Sequence, residues 1–411
     1  MSSGSAARAV RRGAAPRVVS STLLEWRVDL SQAVGSRRAT HSHRDSLLLV
    51  LRDAEGRIGV GEAAPLPGTS RESIADCQQV LARLIDDLRA APPDAEGWPE
   101  LPNLSSLPVA CFAFETAFGD LWAQKIRDES GDTQTLSELL GGSSCARDLE
   151  LNALCASVDE AVAAVGSGFR TLKVKIGGAA FDRDLPLLRD LRRNVPKQTR
   201  LRADANGAYA LTEARAHLAA LAEFDLEYVE QPVAAGSGDL LRLVDSPVPL
   251  AADESLSIDD ERNALLHTPQ VPVWVIKPAL FGLRAARRLA VRAQQQGIDV
   301  VITHLFDGPV ANAAAAELAR SLPRNPRACG LARHAVMAAW PDLPLQVAAS
   351  TGTAPAMAGP AVLVPHGGPG LGIADRAAFV AELARRSSSA SASKPAAAAI
   401  SASTSTAGKG T

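Results

Sequence analysis

The 411-residue sequence predicts an α/β protein, a (β/α)8 TIM-like barrel joined to a separate α+β domain, on three observations. The length exceeds that of a single domain of about 150 residues. From about residue 149 the chain alternates short apolar stretches with alanine- and leucine-rich stretches of helical periodicity. Before that point, residues 18–141 show a hairpin followed by helices. Eight strand-helix repeats favour a closed barrel over an open sheet.

Residues 18–141 have the pattern of an α+β domain. Residues 46–52 form a leucine- and valine-rich run typical of a strand, 53–56 indicate a turn, and 57–62 indicate the returning strand. Apolar residues at helical spacing follow at 70–90 and 108–125. We therefore expect a hairpin and then two helices.

The remaining chain predicts a barrel of parallel strands. We predict strands at 149–154, 171–177, 201–206, 227–231, 249–254, 272–277, 299–304 and 327–331. A doubly wound open sheet is the alternative. Such a sheet usually begins with a glycine-rich phosphate-binding turn. The sequence has neither Gly-x-Gly-x-x-Gly at the start of a helix nor a P-loop, which favours the barrel. The glycine-rich segment 367–372 follows the barrel and contains proline, so it predicts a structural loop.

Composition and charge exclude several classes of protein. Lysine and arginine (43) nearly balance aspartate and glutamate (45), so nothing favours nucleic acid or an anionic membrane as a partner. No apolar run reaches the roughly 18 residues of a membrane span, and none near the start resembles a signal peptide. Five widely spaced cysteines without a Cys-x-x-Cys pair indicate reduced thiols. These features predict a cytoplasmic protein.

Both ends of the chain have the composition of additions to the folded part. Residues 1–18 contain four arginines, no acid and mostly small side chains. An organelle transit peptide has this composition, but so does a disordered extension, which we favour. Residues 387–411 are almost entirely serine, alanine and threonine and predict a disordered tail.

Charged residues lie at the ends of five successive predicted strands, at intervals of 29, 26, 23 and 24 residues that each match one βα unit. These residues are Lys175, Asp204, Glu230, Asp253 and Lys277. Lys173 is two residues before Lys175, so both lysines point to the same side of their strand. Because parallel barrel strands end on one face, we expect all six side chains around one cavity.

Three carboxylates at one barrel mouth predict a metal site. Burying Asp204, Glu230 and Asp253 together would be strongly unfavourable unless a cation compensated their charge. Their oxygens suit one Mg²⁺ or Mn²⁺ per site, whereas zinc would favour histidine or cysteine. Positive neighbours would lower the pKa of Lys175 toward that of a general base, with Lys277 across the pocket. A carboxylate substrate can then lose its α proton to give an enediolate stabilised by the cation and an ammonium group.

These motifs, in this order and spacing, resemble those of the enolase superfamily, in its branch similar to muconate-lactonising enzymes. The barrel motifs are Lys173-Val-Lys175, Asp204-Ala-Asn206, Glu230-Gln-Pro, Asp253-Glu-Ser and Lys277-Pro. Outside the barrel, residues 59–73 resemble the strand and mobile loop that close over substrate, 108–121 the helix before the barrel, and 368–373 a segment that returns to the cap.

The resemblance covers about residues 20–385 and implies a division of the chain. We expect an α+β capping domain over 19–144, the barrel over 145–354, and a C-terminal segment over 355–386 that returns to the cap. The extension at 1–18 and the tail at 387–411 complete the chain.

Within the superfamily the sequence is most similar to o-succinylbenzoate synthases, in the cap motif Gly-Glu-Ala-Ala-Pro-Leu-Pro and at the ends of strands six and eight. This similarity implies metal-assisted syn dehydration of 2-succinyl-6-hydroxy-2,4-cyclohexadiene-1-carboxylate to o-succinylbenzoate, in menaquinone or phylloquinone biosynthesis. By position, it implies that Lys175 is the base and then the acid, and that Lys277 stabilises the enediolate. It implies supporting or substrate-binding roles for Lys173, Asn206, Ser70 and His304. It also implies that Asp204, Glu230 and Asp253 bind the metal.

Sibling activities make different demands on the ends of the later strands. Dipeptide epimerases carry Asp-x-Asp after strand eight, where this chain has no acid before Asp342. Mandelate-type racemases need an aspartate on strand six, where this chain has Lys277, so His304 is interpreted as a pocket or structural residue. N-acylamino acid racemase shares both lysines and the three carboxylates and stays open, as does a catalytically silent barrel that only binds. The expected partner is a small-molecule carboxylate, and a homo-oligomer is compatible with the sequence.

Overall fold

A computed structural model describes residues 14–36, 39–90, 97–99, 107–142, 147–178, 181–334, 347–348 and 361–392. Most of the expected N-terminal extension, residues 1–13, lies outside this range, and the first strand begins at Val18. The expected tail lies outside it from residue 393 onward. Up to Ala392 that segment continues the last helix.

A three-stranded antiparallel sheet forms the core of the N-terminal domain. Its strands are β1 (Val18–Ser36), β2 (Ala39–Asp53) and β3 (Ile58–Ala63), in that order. The β2–β3 hairpin confirms the predicted one. The sequence pattern did not reveal β1, because polar residues interrupt its apolar ones and several of its side chains are exposed.

Two helices follow the hairpin. Helix α1 (Ile74–Ala90) begins four residues later than predicted, after Ser73. The Ser73 hydroxyl accepts a hydrogen bond from Asp76 N at 3.2 Å, and the Asp76 carboxylate accepts one from Ser73 N at 2.9 Å. These two hydrogen bonds cap the start of the helix. Helix α2 (Pro108–Ser130) begins with proline and ends at Gly131, which adopts the left-handed conformation. Every residue of α2 from Pro108 to Gln124 is buried, so this helix is the central element of the domain.

The rest of the chain alternates strands and helices. After α3 (Leu136–Leu139), the strands are β4 (Leu149–Glu150), β5 (Asn152–Cys155), β6 (Thr171–Lys175), β7 (Arg200–Asp204), β8 (Leu226–Glu230), β9 (Leu250–Ala252), β10 (Val273–Ile276), β11 (Asp299–Ile302), β12 (Val347–Ala348) and β13 (Val362–Leu363). The helices are α4 (Val158–Gly166), α5 (Asp184–Asn194), α6 (Leu211–Leu221), α7 (Asp259–Leu265), α8 (Leu283–Gln295), α9 (Pro309–Arg320) and α10 (Arg376–Ala392).

Strands β5 to β11 form one parallel sheet in chain order, and a short eighth segment closes it into a barrel. Cys329 bridges Leu151 beside β5, and Gly330 bridges Thr303 after β11, both in parallel. The predicted eighth strand is therefore present as two isolated bridges. It is short because Pro326 has no N–H to donate, so pairing begins with Arg327 N donating to Val300 O at 2.9 Å.

The chain returns to the N-terminal domain after the barrel. Strand β13 pairs with both β4 and β12 in a small antiparallel sheet. Arg376, at the start of α10, donates two hydrogen bonds to Asp120 of α2, at 2.7 and 3.0 Å. This pair fastens the end of the chain to the central helix of the cap.

Two further sequence expectations concern membranes and thiols. Among the residues that the structure describes, no helix is both long and apolar enough to cross a membrane. Cys77, Cys111, Cys155 and Cys329 are buried free thiols, and Cys145 lies outside the described residues.

Candidate active site

A cavity of about 580 Å³ opens at the carboxyl ends of the barrel strands. Its lining includes most of the residues expected there: Lys173, Lys175, Asp204, Asn206, Asp253, Lys277 and His304. The strand register explains this grouping, because Lys175 of β6 is paired with Asp204 of β7, and Asp204 with Glu230 of β8. Neighbouring parallel strands therefore present these charges at one level of the barrel.

Lys173 is held between two of the carboxylates. Its ammonium group is 2.9 Å from Asp204 Oδ2 and donates to Glu230 Oε1 at 2.6 Å. Burial by itself would lower the pKa of Lys173, but the charges of Asp204 and Glu230 raise it well above its usual value. Lys173 is therefore a fixed ammonium group, suited to supporting the carboxylates.

Lys277 is held in the same way on the other side of the cavity. Its ammonium group donates to Asp253 Oδ2. Burial opposes the charge, but Asp253 and Glu254 raise the pKa of Lys277 above its usual value. Asp253 is in turn positioned by Gln231, whose amide oxygen accepts hydrogen bonds from Asp253 N at 3.1 Å and Ser255 N at 3.2 Å.

Lys175 has different surroundings. Its side chain is exposed to the cavity, whereas Lys173 and Lys277 are mostly enclosed. Desolvation by the surrounding cavity walls lowers the pKa of Lys175, although the charge of Asp204 raises it. The ammonium groups of Lys173 and Lys277 lower this pKa further. Of the three lysines, Lys175 therefore loses its proton most readily.

The acidic side chains carry the chemistry of a divalent cation site. Glu230 Oε2 is buried and has no hydrogen-bond partner among the described residues. Burial and the charge of Asp204 raise the pKa of Glu230 to about 8. A cation would compensate this crowding of negative charge, and carboxylate oxygens are the ligands that Mg²⁺ and Mn²⁺ prefer. The donor set therefore fits a hard divalent cation.

The carboxylates are paired with lysines in the structure. No three His, Cys, Asp or Glu side chains within the described ranges are grouped so that they could already hold a metal ion. Lys173 and Lys277 each occupy carboxylate oxygens that a cation would use. The assignment of Asp204, Glu230 and Asp253 as ligands stays a prediction, supported by their donor chemistry.

The other predicted site residues have different surroundings. Asn206 lines the cavity and donates to Glu254 Oε1 at 3.3 Å. His304 lines it too, and burial together with His334 and the nearby lysines lowers its pKa well below the usual value, so its ring is neutral. Ser70 does not line the cavity, because its hydroxyl accepts a hydrogen bond from Leu66 N at 2.8 Å within a turn.

Several lining residues had no assigned role in the sequence analysis. Burial and Asp253 raise the pKa of Glu254 to about 7, and its position after a ligand candidate could have signalled it. His334 packs on His304 with ring centroids 4.1 Å apart. Leu154, Phe169, Leu280 and Phe306 add apolar side chains to the cavity lining. These apolar residues have no local sequence signal, because strand and loop residues of this type are usually core.

Comparisons with known proteins identify the family to which this chain belongs. Residues 156–377, more than half of the chain, match the family described as Enolase C-terminal domain-like, and residues 18–116 match the MenC N-terminal domain. The chain belongs to the enolase superfamily. Members of this superfamily are enzymes that generally depend on a divalent metal.

Individual relatives within the superfamily are distant. An o-succinylbenzoate synthase from Thermosynechococcus vestitus is 27% identical over 302 residues, which cover 71% of this chain and 86% of that protein. One from Thermobifida fusca is 36% identical over 188 residues, 44% of this chain and 58% of that protein. The crystal structure of a muconate lactonizing enzyme from Pseudomonas fluorescens with muconolactone has a TM-score of 0.72 at 21% identity and covers 90% of this chain and 99% of that one. This last likeness confirms the barrel-and-cap fold alone.

Proposed function

We propose that this enolase-superfamily chain is an o-succinylbenzoate synthase, a lyase that dehydrates 2-succinyl-6-hydroxy-2,4-cyclohexadiene-1-carboxylate in menaquinone or phylloquinone biosynthesis. One observation carries the proposal: Lys175, whose pKa is lowered, and Lys277, whose ammonium group donates to Asp253, line the same cavity as Asp204 and Asp253. The match of residues 18–116 to the MenC N-terminal domain and the names of the curated relatives support the choice of substrate.

The proposed reaction uses Lys175 twice. In its neutral form Lys175 removes the proton from the ring carbon that bears the carboxylate, and the electron pair moves into the carboxylate to form an enediolate. Lys277, as an ammonium group, stabilises the negative charge. The enediolate then collapses, the electron pair forms the new ring double bond, and Lys175 returns its proton to the departing hydroxyl, which leaves as water. Formation of an aromatic ring makes this elimination favourable.

A divalent cation, Mg²⁺ or Mn²⁺, would supply electrostatic stabilisation of the substrate carboxylate when bound. Asp204, Glu230 and Asp253 would hold it, and the unpartnered Glu230 Oε2 supports this assignment. Lys173 would keep Asp204 and Glu230 oriented, since it contacts both.

The shape of the cavity supports a cyclic substrate with a carboxylate. Besides the charged groups, the lining includes the apolar side chains of Leu154, Phe169, Leu280 and Phe306, against which a six-membered ring can pack. The volume of about 580 Å³ is within the range of small-molecule sites.

N-acylamino acid racemase is the second candidate, because the two lysines that such an enzyme needs line one cavity. Racemisation in both directions requires Lys277 to act as a base in one of them. The contact between Lys277 and Asp253 opposes this, because it favours the ammonium form. Dehydration needs Lys277 only as an ammonium group, so we favour it.

The test is to incubate the purified protein and Mg²⁺ with the cyclohexadiene substrate and follow the aromatic product by ultraviolet absorbance. Each enantiomer of an N-succinyl amino acid is assayed in parallel for loss of optical rotation. Aromatic product is the expected result. Racemisation without aromatic product would favour the second candidate, and no α-proton exchange in D₂O with any of these compounds would favour a barrel that only binds.

A further inference from the structure

Arg44, on strand β2 of the cap, is a buried arginine that joins four backbone carbonyls. Its guanidinium group donates to Ala64 O at 2.7 Å and Pro65 O at 2.8 Å, both in the cap. It also donates to Phe306 O at 3.0 Å and Leu305 O at 3.4 Å, both in the loop after barrel strand β11. A planar guanidinium with five donors suits such a junction, and a lysine has fewer donors and no fixed geometry.

The four carbonyls belong to two neighbouring segments, one of the cap and one of the barrel, that both contribute to the cavity wall. Ala64 and Pro65 lead directly into Leu66 and Thr69, which line the cavity from the cap. Leu305 and Phe306 line it from the barrel, directly after His304. Arg44 itself is not among the lining residues, so any effect on the substrate passes through these segments.

The barrel loop is also fastened by two buried carboxylates near Arg44. Asp307 Oδ2 accepts a hydrogen bond from Leu305 N at 2.9 Å. Glu62 of strand β3 accepts one from Gly308 N at 2.8 Å and one from Ala311 N at 3.0 Å, at the start of helix α9. Burial disfavours the charge of Arg44, whereas Asp307, Glu62 and Asp45 favour it. Arg44 and Glu62 therefore join the cap to this part of the barrel, and Asp307 stabilises the turn within the loop.

The loop needs this support because its backbone is strained. Phe306 has a φ of 54°, in the left-handed region that residues other than glycine rarely adopt. In that conformation Phe306 N donates to His304 Nδ1 at 3.0 Å. The neutral His304 ring therefore carries its proton on Nε2, and both its tautomer and its orientation depend on the conformation of Phe306.

We propose that Arg44 is a positioning residue for substrate binding: by bonding Ala64, Pro65, Leu305 and Phe306, it holds the cap turn and the His304–Asp307 loop as two walls of one pocket. The inference rests on the proposed function only for the choice of substrate. Loss of Arg44 would leave the lysines and carboxylates of the barrel in place, since none of them contacts it at hydrogen-bond distance in the described structure. It would loosen the walls that hold the substrate.

The experiment compares Arg44→Met and Arg44→Lys with the control Arg57→Met. Arg57 is another cap arginine, bound to Asp53 and Asp128 and absent from the cavity lining. We expect Arg44→Met to raise KM for the cyclohexadiene substrate about tenfold, with kcat within about threefold of the wild type. Arg44→Lys should give an intermediate KM, and Arg57→Met should leave KM unchanged. A role in folding alone would lower the active fraction, and so kcat, without this rise in KM.

Amide hydrogen exchange gives a readout that needs no substrate. In Arg44→Met we expect faster exchange in peptides covering 64–70 and 304–308, and unchanged exchange in helix α5. If Arg44→Met does not fold, Arg44→Lys is measured in the same way. An unchanged KM with unchanged exchange, or an equal rise in KM in Arg57→Met, would overturn the proposal. If the wild type does not convert the substrate, the proposed function fails, and exchange at the two segments still decides the role of Arg44.

Discussion

Lys175 and Lys277 are chemically identical, but their surroundings suit them to opposite tasks. Asp253 binds the ammonium group of Lys277 and keeps it charged. Lys175 is exposed to the cavity. Desolvation by the cavity walls and the charges of Lys173 and Lys277 lower its pKa. A base and an electrostatic stabiliser on two sides of one cavity are the groups that α-proton abstraction needs.

Replacing Lys175 with alanine should abolish dehydration and leave metal affinity nearly intact. General base catalysis typically contributes about 10²–10⁴-fold, so we expect kcat to fall by at least that factor. Metal binding should change little, because the three carboxylates are the proposed ligands and their contacts with Lys173 and Lys277 remain in the variant. Product absorbance measures the first effect and titration calorimetry with Mg²⁺ the second. The exposed Lys197→Ala is the matched control, and an active Lys175→Ala enzyme would remove the proposed base.

The pH dependence of the reaction should follow Lys175. Only its neutral form can accept the proton, so kcat/KM should rise with pH and level off below the ordinary lysine pKa of about 10.4. Lys173 and Lys277 keep their protons over this range, because Asp204, Glu230 and Asp253 raise their pKa values. A pH–rate profile measures this directly. A rate that falls across the same range would mean that the essential group acts in its protonated form.

At the scale of elements, the close contact between strand β3 and helix α2 explains two glycines of β3, Gly59 and Gly61. A Cβ atom on Gly61 would lie 1.9 Å from Ala113 O, and one on Gly59 would lie 2.1 Å from Ala117 O. Neither residue has the positive φ that favours glycine. Both positions therefore require glycine because a backbone carbonyl fills the space of a side chain.

Substituting Gly61 with alanine should consequently destabilise the cap. Overpacking of this kind typically costs about 1–3 kcal/mol, and here the obstacle is backbone that cannot rotate away. The measurement is the urea midpoint followed by circular dichroism. Gly166→Ala, at an exposed site with nothing within 4 Å of the added Cβ, should leave the midpoint unchanged or raise it slightly. Equal midpoints for Gly61→Ala and the wild type would show that the two elements separate easily.

The barrel strands and their polar ends could be predicted from the sequence, because each βα unit repeats the same pattern at a nearly constant interval. Lys175, Asp204 and Lys277 were found in this way and line one cavity. The role of Arg44 could not be predicted, because its acceptors are backbone carbonyls 20 to 262 residues away in the sequence. Every residue has a backbone carbonyl, so the residue types at those positions give no signal. The pairing of Lys277 with Asp253 was also beyond prediction, because register alone does not fix side-chain conformations.

At the scale of the whole molecule, the chain passes from cap to barrel and back, and a buried ion pair between Asp120 and Arg376 stabilises the return. Asp120 of α2 accepts hydrogen bonds from Val60 N at 3.2 Å, from Leu371 N at 2.9 Å and from both sides of the Arg376 guanidinium. One carboxylate thus joins the cap sheet, the central helix and the C-terminal segment. Both Asp120 and Arg376 are buried, so neither charge has water as an alternative partner.

Asp120→Asn should therefore release the C-terminal segment from the cap. The change keeps the shape of the side chain but leaves Arg376 buried without its counter-charge, a loss typically of about 3–5 kcal/mol. We expect a lower urea midpoint and faster proteolysis after residue 365. Asp128→Asn is the control, because Asp128 is an exposed partner of Arg57 and Arg127, and such surface pairs contribute about 0–1 kcal/mol. If Asp120→Asn had the same urea midpoint as Asp128→Asn, the apolar contacts of α10 would be what stabilises the C-terminal segment on the cap. The Asp120–Arg376 pair would then only determine where that segment docks.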